Sequence, residues 1–304
     1  MVSTPNLERR GSIAIGTSAT LWGLWGLAIH FAGIAGPQAG CIALFTMGTF
    51  GLPWLPRRIP RGFAAWWPLW ATGLTDAANA WLYFEALHRG PVPVAVLSHY
   101  LAPVLVALGS PLILRRWPRW QVVAALPVAL LGLALLLGAD VLAVGPAALT
   151  GLLGAASAFF YAAQVLILKR AGSRLAPAEL LVWHCWIGGL LLAPLAFMAP
   201  APGLGAVAWI MGGATLAGTI GGLAFLWGLQ HVSAAKAGVL TYLEPMVGVA
   251  SGALVLGDAL PALAPVGGAL ILASGIWVLR VPSDAGVGLS DSGARPASPP
   301  RPPP

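Results

Sequence analysis

Between residues 11 and 279 the chain is a succession of apolar runs, each about as long as a bilayer core is thick, with most of its charge in the short breaks between them. A helix rises about 1.5 Å per residue, so roughly 20 residues cross a hydrocarbon layer of about 30 Å. In that layer every backbone donor and acceptor has to be satisfied internally, which leaves helices as the natural form for such runs. They fall at 11–30, 36–56, 64–87, 91–114, 118–138, 143–168, 178–199, 207–230, 237–256 and 261–279. The expectation is an all-α integral membrane protein with ten transmembrane helices, five in each half. Composition agrees, because a chain of 304 residues that is 58% hydrophobic and 8% charged has too little charged surface to dissolve as a globule.

The basic residues orient the runs. On the ten-helix reading one side of the membrane receives Arg9, Arg10, Arg57, Arg58, Arg61, Arg115, Arg116, Arg119, Lys169, Arg170, Arg174, Lys236, Arg280, Arg295 and Arg301, and the other receives Arg89 alone. Lys and Arg favour the cytoplasmic side of short loops, so both termini are expected in the cytoplasm. Arg9 and Arg10 before an apolar run also open a signal peptide, but residues 11–30 are longer than an ordinary signal core and read as a retained first helix. Trp54, Trp66, Trp67, Trp70, Trp117, Trp120 and Trp277 lie beside the basic breaks, where an aromatic belt anchors helices. The formal charge of +7 comes without a basic face interleaved with aromatics, so no nucleic-acid partner is expected. Cys41 and Cys185 lie inside apolar runs and form neither a disulfide framework nor a metal-ligand spacing.

Residues 81–103 recur as 223–245. At this offset Leu87 meets Leu229, Ala95 meets Ala237, Tyr100 meets Tyr242, Leu101 meets Leu243 and Pro103 meets Pro245. Both copies end one helix at a polar break and start another that reaches Tyr-Leu-x-Pro inside an apolar run. Proline removes a backbone donor and crowds the carbonyl one turn back, so the two later helices are expected to bend at matching points. Five helices per repeat also means that the second repeat starts on the opposite side of the membrane from the first. The expected fold is two inverted five-helix repeats around a central cavity, at 11–142 and 143–280, after a cytoplasmic N-terminal arm at 1–10. Residues 281–304 are rich in Pro, Ser and Gly and are expected to form a disordered cytoplasmic tail.

Trp22-Gly23 in the first run, Tyr83-x-x-Ala-Leu87 ending the third and Ser98-His99-Tyr100-Leu101-Ala102-Pro103 in the fourth resemble the EamA repeat of the drug/metabolite transporter superfamily. The second half carries Phe225-x-x-Gly-Leu229, Leu240-Thr241-Tyr242-Leu243-Glu244-Pro245 and Gly257-Asp258, the last where the family often has Gly-Glu. Within the superfamily the chain is most similar to the YddG-type exporters of aromatic and other neutral amino acids in the bacterial inner membrane. That resemblance implies a ten-helix basket whose third, fourth, eighth and ninth helices, with the first and sixth, line the path.

Polarity inside the runs gives the candidate site. Asp76 lies near the middle of the third run, where an ionisable group costs about 2.5 to 3.5 kcal/mol and needs a wet cavity or a partner. Asn79 and Tyr83, three and seven residues on, share its helical face, which marks either a cavity wall or a packing network. Glu244 stands before Pro245, either to bind a proton or an ammonium or, protonated, to bond backbone that the proline frees. His99 and Tyr100 pair through the repeat with Thr241 and Tyr242. The imidazole of His99 serves as a proton relay or as one satisfied hydrogen-bonding group. All four tyrosines, Tyr83, Tyr100, Tyr161 and Tyr242, fall inside runs. With Trp22, Phe160 and Trp227 they form a set suited to enclosing a planar apolar side chain. Glu85 beside Arg89 reads as an interfacial ion pair, and His184 as structural.

The expected function is a secondary transporter that exports small metabolites, neutral and aromatic amino acids first, by alternating access. A multidrug or sugar-conjugate carrier of the same superfamily is the alternative. Its partners are a small-molecule substrate and membrane lipids. No cofactor is expected, no phosphate-binding Gly-x-x-x-x-Gly-Lys-Ser/Thr loop is present, and adjacent Ser98 and His99 point about 100° apart on a helix and cannot form a nucleophile-base pair. Reporter fusions test the topology. A cytoplasm-active reporter is expected to be active at either terminus and inactive beside Arg89, and the reverse pattern would refute the orientation.

Overall fold

The computed structural model describes residues 5–34, 36–57, 60–138 and 147–282. The outer part of the expected arm, Arg58, the junction between the halves at 142 and nearly all of the expected tail lie outside these residues. What is described is helical, with no strand among the described residues. Helix α1 (Pro5–Gly23) continues into α2 (Trp25–Ala32). It is followed by α3 (Pro37–Gly51), α4 (Phe63–Arg89), α5 (Val92–His99), α6 (Ala102–Ile113) and α7 (Trp120–Leu137). The second half runs α8 (Ala148–Ala171), α9 (Pro177–Ala196), α10 (Leu204–Gly213), α11 (Gly222–His231), α12 (Ala234–Thr241), α13 (Leu243–Ser251) and α14 (Ala264–Leu279).

Among the described residues, seven helical stretches are long and apolar enough to cross a membrane, namely Pro5–Ala32, Val92–Ile113, Trp120–Leu137, Ala148–Ala171, Pro177–Ala196, Leu204–His231 and Ala234–Leu256. Ala264–Leu279 is apolar but shorter. Their outer faces invert the pattern of a soluble protein: Leu112 is 81% and Leu254 86% exposed, as lipid contact requires.

The first helix begins at Pro5, so residues 5–10 are helix and not a loose arm. Proline suits a first helical turn, where its missing donor is not needed. Glu8 gives that turn an anchor, since Lys236 Nζ lies 2.8 Å from its Oε1. Lys236 itself, expected in a loop, is in the first turn of α12, 2% exposed, and also donates to the Val281 carbonyl at 2.8 Å. Lys169, at the end of α8, donates to the carbonyls of Leu229 (2.6 Å) and Val232 (2.7 Å), closing the end of α11 where intrahelical donors run out.

The helix breaks fall at repeat-related places. Between α5 and α6 the break is at Tyr100 and Leu101; between α12 and α13 it is at Tyr242, one repeat later. Two further departures had no counterpart in the expectation. Ala214–Gly221 and Gly252–Leu256 are π-helical, and Thr219 Oγ1 reaches five residues back to the Ala214 carbonyl at 3.3 Å. Wide turns of this kind inside helices are rare and often mark functional places.

The halves are interleaved. α4 packs on α8, α1 on α11 and α13, α3 on α9, α6 on α12 and α7 on α14. Glycines allow the closest crossings: a Cβ on Gly228 would stand 2.6 Å from the Gly11 carbonyl, and one on Gly132 2.8 Å from that of Gly267. A Cβ on Gly23 would stand 2.6 Å from both the Glu244 carbonyl and Val247 Cβ, whereas nothing lies within 4 Å of one on Gly26. Gly23→Ala is therefore expected to lower stability by about 1 to 3 kcal/mol through overpacking. Gly26→Ala should leave it unchanged or raised, and thermal unfolding in detergent separates the two.

Candidate functional site

The two helix breaks bring the candidate residues together. With Pro103 unable to donate, the chain turns at Tyr100, and the hydroxyl of Tyr242 donates to the Tyr100 carbonyl at 2.9 Å. The Tyr100 side chain also lies within electrostatic reach of Glu244. Tyr100 is tied to the second repeat through its carbonyl. The Tyr100 and Tyr242 rings stand 5.8 Å apart between centroids, and Tyr242 is fully buried.

His99 is the hub on the first-repeat side. Its ring is 4.4 Å from that of Tyr83 on α4, 5.5 Å from Tyr161 on α8 and 5.7 Å from Tyr100. Nδ1 is 2.7 Å from Ser157 Oγ, and the Ser157 hydroxyl donates to the Gly154 carbonyl at 2.9 Å. That oxygen is left to accept, so Nδ1 carries the hydrogen and Nε2 of the neutral ring is bare. Glu244 lies within electrostatic reach of Tyr83, Tyr100 and Tyr161.

Beside this cluster is a small hollow lined by Pro103, Val106, Tyr161, Val165, Phe225, Gly238 and Thr241, from α6, α8, α11 and α12. It offers about 10 Å³ to the centre of a water molecule, room for about one water. Trp22 packs on its wall, with its ring 4.9 Å from Phe225. The sixth run contributes Tyr161 and Val165 to the wall of the hollow, and no residue of the third run lines it.

The remaining candidates are placed as follows. Asp76 does not stand alone: its Oδ2 is 3.5 Å from His184 Nε2 on α9. Asn79 Oδ1 is buried with no hydrogen-bond partner among the described residues. Trp227 lies tilted against His231 with ring centroids 4.4 Å apart, and Phe160 meets Phe159 edge to face at 5.6 Å, partners outside the cluster. Glu85 pairs with Arg89 at 2.5 Å near the end of α4. The residues missed by sequence reasoning are Ser157, Phe225 as a wall, and His184. The membrane rule that singled out Asp76 applies equally to an imidazole inside a span, and would have found His184.

The match to known proteins decides the family. The family model described as EamA-like transporter family matches residues 9–138 and again 149–280. The chain belongs to the EamA-like transporter family. It is 27% identical over 267 residues to an uncharacterized transporter of Archaeoglobus fulgidus, covering 87% of this chain and 94% of that one. A crystal structure with 22% identity shares the fold at a TM-score of 0.75, covering 88% of this chain and 96% of that one. Tyr100 and Tyr242, one in each matched segment, meet directly, so this contact joins the two copies. Tyr242→Phe removes the donor and leaves a buried carbonyl unpaired, at an expected cost of about 1 to 3 kcal/mol. Thermal unfolding measures this, with Phe160→Leu as an outlying aromatic for comparison.

Proposed function

We propose that this EamA-like protein is a ten-span secondary transporter of the bacterial inner membrane, with both termini cytoplasmic and two inverted five-helix repeats. Its cargo is small neutral amino acids, aromatic ones first, carried outward by alternating access. Seven stretches meet the length and apolarity of a span unaided; α3, α4 and α14 complete the ten. The packing supports a twofold relation between the halves. Exchanging each span for its counterpart turns the α4–α8 contact into the α11–α1 contact and the α6–α8 contact into the α13–α1 contact, while α3–α9 and α7–α14 map onto themselves.

The observation that carries the cargo is the cluster itself. Tyr83, Tyr100 and Tyr161 gather around His99, all three tyrosines within electrostatic reach of Glu244, beside a hollow between the repeats. A zwitterionic amino acid presents an ammonium for that carboxylate, and an apolar side chain for the tyrosine rings and Phe225. Asn79, with an open carbonyl oxygen, offers an acceptor for a second donor of the cargo. The hollow is small here, so cargo enters only when the halves part on one side, as alternating access requires.

Flux of labelled L-phenylalanine and L-alanine into liposomes holding the purified protein tests the reading. Tyr83→Ala and Tyr161→Ala are each expected to weaken apparent affinity for phenylalanine by about three- to tenfold, the worth of one aromatic contact. They should affect alanine less. Saturable flux of drugs or sugar conjugates without any amino-acid flux would refute the cargo.

A further inference from the structure

We propose that Asp76 and His184 together form a proton-binding site between the two repeats, separate from the tyrosine cluster, and that transport is exchange of substrate for the proton held there. This rests on the transport reading above. His184 Nδ1 is 2.5 Å from the Leu180 carbonyl, which can only accept, so Nδ1 carries a hydrogen. Nε2 then faces Asp76 Oδ2 at 3.5 Å. A bare ring nitrogen opposite an ionised carboxylate is two acceptors face to face, with the side chains only 6% and 16% exposed. One proton between them, on either atom, makes the pair neutral overall; its loss leaves a net negative charge inside a membrane protein, which is costly.

The setting keeps water and other charges away. α4 and α9 approach through glycine, since a Cβ on Gly188 would meet the Gly73 carbonyl at 3.2 Å and Asp76 Cβ at 3.9 Å. The titratable groups around the pair are Cys185, whose Sγ is 3.5 Å from Nε2, Cys41 on α3, bonded to the Gly189 carbonyl at 3.5 Å, and Tyr161 on α8, which feels the charge of Asp76. α11 turns its His231 toward Trp227 and α1, and the turn Leu52–Trp54 carries no titratable side chain. Tyr161 also feels Glu244, so one member of the cluster proposed for the ammonium is within electrostatic reach of the proton site. A cation arriving at the cluster weakens the hold on the proton through the same poorly screened surroundings. The proton leaves whole, and no other bond changes.

The test uses liposomes with the membrane potential clamped at zero. An acid-inside gradient of about one pH unit should drive wild-type accumulation of labelled phenylalanine to about tenfold, the limit for one proton exchanged per substrate. Asp76→Asn and His184→Gln should lose this accumulation yet retain counterflow, in which internal unlabelled substrate exchanges for external label. Gradient-driven accumulation that survives in both variants, or counterflow without any gradient response in wild type, overturns the proton site. Wild type with no counterflow at all instead overturns the transport reading. The proton site is then decided on the purified protein: ¹⁵N spectra of labelled histidine should show a His184 titration altered by Asp76→Asn, and a titration indifferent to that change overturns the pair.

Discussion

Inside hydrocarbon a helix can stop only where something takes up the backbone groups it abandons, because no water is present to do so. The break at Tyr100 meets this condition through the Tyr242 hydroxyl, which donates to the Tyr100 carbonyl. Everything central to the molecule follows from that bond. It allows α5 and α6 to meet at an angle, turns His99 toward Tyr83 and Tyr161, and joins the first repeat to the second at equivalent residues. The cluster is built at the joint because the joint is where polar groups are tolerated. Function and the relief of a backbone defect share the same atoms.

The same demand explains the two lysines. Lys169 closes the frayed end of α11 and Lys236 ties the start of α1 to the chain beyond α14, each by donating to carbonyls that have no helical donor. Both were legible in the sequence as charge on one side of the membrane, and neither as a bond. Topology rules count lysines per loop; they do not distinguish a solvated ammonium from one that is 2% exposed and holding three segments together.

How much could be read in advance varies with the range of the interaction. The breaks at Tyr100 and Tyr242 were legible because a proline acts on its own helix, four residues back, and the repeat marks it twice. Asp76 was legible as a group needing a partner, since cost depends on depth alone. Its partner was not, because His184 is brought to it by the α4–α9 crossing, which glycines at 73 and 188 permit and no local pattern announces. Trp227 and Phe160 illustrate the reverse. Both sit in runs with suitable chemistry, and the ring partners they show lie on their own helices, His231 and Phe159. The π-helical turns at Ala214–Gly221 and Gly252–Leu256 shift the helical phase within a span, so residue spacing beyond them ceases to predict a face.

On the proposed reading, the two carboxylates inside the bundle divide two tasks between them. Glu244 sits among three tyrosines at the joint, where a bound cation meets rings as well as charge. Asp76 sits against an imidazole with a fixed tautomer, where only something as small as a proton fits between the atoms. Tyr161 stands within electrostatic reach of both Asp76 and Glu244, so the proposed proton site and the proposed cargo site share a neighbour. Charge acts over distance where screening is poor, and on the proposed reading that is how occupancy of one site is felt at the other.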